Sequence, residues 1–142
     1  MRTWSWTSEV VVNLEDMSLG DFVEQILVTL GEEGMHFKDE RPWHEFLYRL
    51  KKNPTLAEKP SFLGNLFFEW NGPYPRSQEL SEFLHGLHWT GCLSAPNASY
   101  DTFTTKPEVR AIWQGVPMEP RARAFLDAVS EEARRELVIN AR

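Results

Sequence analysis

Asn71-Gly72-Pro73-Tyr74-Pro75-Arg76-Ser77-Gln78-Glu79-Leu80-Ser81-Glu82-Phe83-Leu84 joins a proline-locked turn to an apolar helix, and the fold turns on how it is read. Glycine permits a tight turn, each proline fixes φ, and the residue before a proline is pushed out of the helical region. No helix can cross 71–75. From Ser77 to His88 the apolar positions Leu80, Phe83, Leu84 and Leu87 recur at helical spacing, and Gly91 lies just beyond the end. Cys92-Leu93-Ser94 and Ser99 to Thr104 then flank Ala95-Pro96-Asn97-Ala98, the pattern of a β-hairpin with a short loop.

Upstream, Ser18 and Asp21 form a capping box, with Met17 placed to staple against Phe22. Phe22, Ile26, Leu27 and Leu30 line one face of the helix that follows, and Gly31 stops it. Trp43, Phe46, Leu47 and Leu50 predict a second helix with Pro42 in its first turn, ending before Asn53-Pro54. Leu63, Leu66, Phe67 and Trp70 repeat that spacing from a Ser61 cap and predict a third, with a strand as the alternative at Phe67-Phe68. Before these, Val10, Val11 and Val12 suggest a short strand or a packed arm. Downstream, Thr105 and Glu108 predict a cap for a helix carrying Val109, Ile112 and Trp113. A last helix from Pro120 places Ala122, Phe125, Leu126, Val129, Ala133 and Leu137 on one side.

This order of elements predicts an α+β, mostly α fold: a winged-helix-like three-helix core with a small β-hairpin and additional C-terminal helices. The expected organisation is a single domain over 1–142, with a winged-helix-like core at 18–105 and a C-terminal helical extension at 106–142. No internal repeat or low-complexity tract divides the chain.

The 142 residues include one cysteine, 42% hydrophobic and 13% aromatic residues, and carry a net charge of -6. Cys92 alone cannot make an internal disulfide or a thiolate zinc cluster. No apolar run approaches the roughly 20 residues that cross a bilayer, and no basic leader precedes a cleavable apolar stretch, so no membrane partner and a cytoplasmic location are expected. Charge is uneven. Glu9 to Glu45 holds ten acids against Lys38 and Arg41, a net of -8, whereas Phe46 to Arg76 holds five bases against Glu58 and Glu69, a net of +3.

Gly72, Pro73 and Tyr74, followed by an apolar helix, resemble the Gly-Pro-Tyr-Ser segment of the Panacea domains, the SocA-like proteins found with prophages and toxin–antitoxin systems. Here Pro75 stands where that segment has serine, and Ser77 follows two positions later. The resemblance spans residues 20–115 and implies a protein-binding, antitoxin-like role without catalysis.

The leading expectation is a non-enzymatic protein-interaction or regulatory module, with Gly72, Pro73, Tyr74 and Arg76 binding a protein partner; Tyr74 is a low-entropy aromatic anchor. The alternative is a DNA-binding transcriptional regulator using the 77–88 helix and the following hairpin, with Arg76, Gln78, His85, Lys106 and Arg110 as contacts. Glu79 and Glu82 on the same face oppose a phosphate backbone, and the hairpin tip carries no cation. A second alternative is a small enzyme assembled from residues distant in sequence. No nucleophile elbow, P-loop or dinucleotide fingerprint is present, and no cofactor is expected. His85 and His88 lie three apart on one helix face near Glu82, yet a one-face set is not a usual closed metal site, and none is expected among the histidines His36, His44, His85 and His88. The apolar side of the last helix either closes the chain's own core or forms a homodimer.

Overall fold

The capping box forms as its residues dictate: the Asp21 amide donates to Ser18 Oγ at 3.0 Å, and the Ser18 amide donates to Asp21 Oδ2 at 3.1 Å. It opens helix α1, Leu19–Leu30, in a computed structural model that describes residues 11–30, 35–36, 40–54, 56, 58–89, 93–94 and 102–138. The remaining elements are β1 (Met35–His36), α2 (Arg41–Lys52), α3 (Ser61–Asn65), α4 (Gln78–Trp89), β2 (Leu93–Ser94), β3 (Thr102–Thr105), α5 (Pro107–Gln114) and α6 (Pro120–Leu137).

The structure corrects the predicted fold class. Among the described residues the body is a bundle of six helices, not an α+β winged helix. Two physical facts decide this. First, α6 is central: its closest partners are α1 and α2, and α5 packs on α1. Phe22 of α1 meets Phe46 of α2 at a ring-centroid distance of 6.3 Å and Phe125 of α6 at 5.7 Å. Phe125, Leu126, Val129, Ala133 and Leu137 are buried in the same apolar cluster as α1 and α2, so the stripe a homodimer would use lies inside this chain. Burying such side chains contributes roughly 1.5–3 kcal/mol each. Second, α3 ends at Asn65 and α4 begins at Gln78, so the two helices flanking the 71–75 turn are not joined as a helix-turn-helix, whose turn takes about three or four residues; a long extended run intervenes.

Extended pairing is slight. The order is β1-β3-β2, with Met35 opposite Phe103, His36 opposite Thr102, Leu93 opposite Thr105 and Ser94 opposite Thr104. Among the described residues, two residue pairs at each contact make no β layer. The predicted hairpin tip at 95–98, like Trp4, Trp6, Cys92 and the side chain of His88, lies outside the described residues.

Two local expectations are also revised, and the packed arm is met at Val12. The helix at Ser61 ends at Asn65, and Leu66 is already extended with φ -72 and ψ 124. Phe67 and Trp70 therefore leave the core and stand 68% and 61% exposed. Lys106, not Thr105, occupies the N-cap of α5, where Pro107 needs no amide partner. Val12 is buried and bridges Met118: its amide donates to the Pro117 carbonyl and its carbonyl accepts from the Glu119 amide, both at 2.9 Å.

Candidate interaction surface

The 69–76 loop is closed at its base by its own backbone. The Glu69 amide donates to the Arg76 carbonyl at 2.9 Å, and the Arg76 amide donates to the Glu69 carbonyl at 3.0 Å. Within it Pro75 is buried, and Gly72 and Pro73 are exposed. Glu69, Asn71, Gly72, Pro73, Tyr74 and Arg76 line a cavity of about 240 Å3. The four residues expected to bind a partner thus share one concave surface, joined by Glu69 and Asn71. A Cβ at Gly72 would meet open space, and the backbone there is not left-handed, so the turn does not depend on glycine.

Tyr74 ties the loop to the bundle. Its ring lies 5.7 Å from the His44 ring, and the Arg41 guanidinium sits 5.5 Å above it. Beneath is a polar cluster that sequence reading did not assemble. His44 is fully buried; its Nδ1 accepts the Ser77 amide proton at 3.0 Å, which leaves the ring proton on Nε2. That Nε2 donates to Glu40 Oε1 at 3.2 Å. Ser81 Oγ donates to the same oxygen at 2.6 Å, and His85 Nε2 meets Glu40 Oε2 at 2.8 Å. Burial pushes the His44 pKa down, outweighing Glu40, and Arg76 adds to the depression. A second proton would also set Nδ1–H against the Ser77 N–H. Burial alone would raise the Glu40 pKa, but the hydroxyl of Ser81, the His44 N–H and the nearby His85 hold it below its ordinary value.

A serine, a histidine and a glutamate in contact invite a catalytic reading, and the geometry argues against one. In a nucleophilic triad the imidazole accepts from serine and donates its other nitrogen to the acid. Here serine and imidazole both donate to one carboxylate, the remaining nitrogen is filled by backbone, and Ser81 is buried. The cluster locks α2 to α4. Among the described residues no group of three or more His, Cys, Asp or Glu side chains is arranged to hold a metal ion, and no helix is long and apolar enough to cross a membrane.

The residues expected to contact DNA are dispersed or engaged. Arg76 donates to Gln78 Oε1 at 3.1 Å, Gln78 Nε2 donates to Glu82 Oε2 at 3.1 Å, and His85 faces Glu40. Lys106 caps α5, Arg110 lies in its first turns, and neither lines the cavity.

On the other side of the loop is a surface that the helical reading of 61–70 concealed. Extended backbone sends alternate side chains to opposite faces, so Phe68 and Trp70 separate from Glu69 and Asn71. Phe68 and Trp70 meet Tyr48 of α2 edge-on, at centroid distances of 5.3 and 5.8 Å. Lys51 Nζ lies 6.0 Å over Phe68, and Lys52 Nζ lies 5.7 Å over Tyr48. The sequence signal was the Phe67-Phe68 pair after Gly64, which favours extended chain over a continued helix.

Comparison with protein-family models, curated proteins and solved structures finds no match to this chain. The geometry has to speak for itself.

Proposed function

We propose that the chain is a non-catalytic protein-binding module whose contact surface is the extended segment and loop 67–76. The observation that carries this reading is the company kept by Tyr74: a half-buried aromatic on a backbone-closed loop, beside a cavity and the exposed Phe67 and Trp70. Two large aromatics held open to solvent by their own backbone are the residue types on which binding energy concentrates. The polar cluster beneath supplies rigidity, which lowers the ordering cost of association. An antitoxin-like role, implied by the likeness of Gly72-Pro73-Tyr74 to the Panacea segment, is the special case in which the partner is a toxin.

The test is isolation of the tagged chain from its source cells, followed by reconstitution with whatever protein co-purifies in stoichiometric amount. Tyr74→Ala should weaken the reconstituted complex by about tenfold or more. A complex indifferent to Tyr74, Trp70 and Phe67 contradicts the reading.

A further inference from the structure

Among the described residues some cations are paired with carboxylates and others, Arg76, Lys106, Arg123 and Arg135 among them, are not. Arg41 pairs with Glu45, Arg49 with Glu132 and Glu136, and Arg121 with Glu15 and Glu58. Lys51, Lys52 and Lys59 enter no ion pair among the described residues. Lys51 Nζ donates to the carbonyls of Leu66 at 2.6 Å and Gly64 at 3.3 Å, and Lys59 Nζ donates to the Lys51 carbonyl at 2.9 Å. Three ammonium groups without counter-ions therefore gather at the end of α2, in a chain whose net charge is -6. Lys51 and Lys52 flank the aromatic strip of Tyr48, Phe68 and Trp70, and Lys59 lies behind them on the Lys51 carbonyl. The carboxylates nearest in sequence are committed elsewhere: Glu45 to Arg41, Glu58 to Arg121, and Glu69 to the cavity face.

We infer that this strip docks an acidic peptide segment of the partner, with an aliphatic or aromatic side chain against Trp70 and carboxylates against the lysines. The inference rests on the protein-binding reading above and names the chemistry of the partner. Charge complementarity chooses this occupant. Single-stranded nucleic acid also uses aromatics and cations, but bases need free ring faces on which to stack. Lys51 and Lys52 occupy a face of Phe68 and of Tyr48, and the guanidinium groups nearby are already paired.

The experiment selects displayed random peptides of about twelve residues on the full chain, long enough for an anchor and its flanks. Enriched peptides should carry Asp or Glu around a Leu, Phe or Trp. As synthetic peptides they should lose at least about tenfold in affinity for Trp70→Ala and for Lys52→Glu, and lose nothing for Ile112→Ser, a second exposed apolar site on α5. Lys52→Glu, at an exposed position, carries the test alone should Trp70→Ala misfold. Enriched peptides without acids, binding indifferent to Trp70 and Lys52, or displacement by oligothymidylate would each overturn the inference. So would self-association of the chain that Trp70→Ala abolishes, because the occupant would then be a second copy. An empty selection alongside a reconstituted complex that still depends on Tyr74 would remove the acidic-segment inference and leave the protein-binding reading intact.

Discussion

Helix α2 presents two polar–aromatic groupings that differ in one respect: whether their charges are answered. At its start, Glu40, His44 and Ser81 are buried or half-buried, and every polar atom of the His44 ring has a partner. At its end, Tyr48, Lys51 and Lys52 meet Phe68 and Trp70 at the surface, and the ammonium groups have ring faces and carbonyls but no carboxylate. Saturated contacts in a dry site are worth most when intact and cost most when broken, because a lost partner leaves a desolvated group behind. Open contacts at a surface cost little to remove and are available to something else. The first grouping accounts for architecture, the second for recognition.

The largest effect should come from breaking the buried grouping. His44→Ala strands the Ser77 amide, removes one of the two donors to Glu40 Oε1, and should cost about 2–3 kcal/mol in denaturant unfolding. An unchanged midpoint would mean that the cluster locks nothing. Acid should act through the same residue. Because the folded His44 pKa lies below its ordinary value of 6.5, the unfolded chain binds the proton first as pH falls. Stability from this group is complete above about pH 6.5 and is lost as pH falls toward the folded value, by at most about 1.4 kcal/mol per pH unit. Glu40, also depressed, adds a loss of the same sign at lower pH, below its ordinary 4.5. His44→Gln should flatten the first of these slopes in unfolding curves taken across pH, and a slope that persists would assign it to another group.

Much of the bundle was legible in the chain. The Ser18–Asp21 box, the Trp43-to-Leu50 stripe and the Pro120 start are local signals, each satisfied within one helix, and neighbours could not override them. Two things were not. The order of helix, turn, helix and hairpin says nothing about which helices touch. The apolar stripe of α6 reads equally as a terminal extension or as the middle of the core, and only the packing of Phe125 on Phe22 distinguishes them. Phe67 and Trp70 fit a helical period by coincidence, and the backbone pairing of Glu69 with Arg76 pulled the segment out straight. The candidate surface was half legible for the same reason. Gly72, Pro73, Tyr74 and Arg76 are contiguous, whereas Glu40, His44 and Ser81 meet only through the fold.

Smaller effects sharpen the contrast from the open side. Phe67→Ser and Trp70→Ala should leave stability within about 1 kcal/mol of the wild type, Trp70 losing only an edge contact with Tyr48, while partner affinity falls. A large loss of stability at either site would move that residue from recognition to architecture. Gly72→Ala should be neutral or stabilising by about 0.4–1 kcal/mol, because the new methyl meets open space and the unfolded chain loses freedom. Destabilisation in a thermal melt would show that the turn does need its glycine.

Amide hydrogen exchange of the chain, free and in complex with its co-purified partner, tests the location of recognition most directly. New protection should be confined to residues 67–76 and the end of α2, with the buried start of α2 equally protected in both states. Protection that falls instead on the exposed face of α4 or on α5, with 67–76 unchanged, would contradict this location.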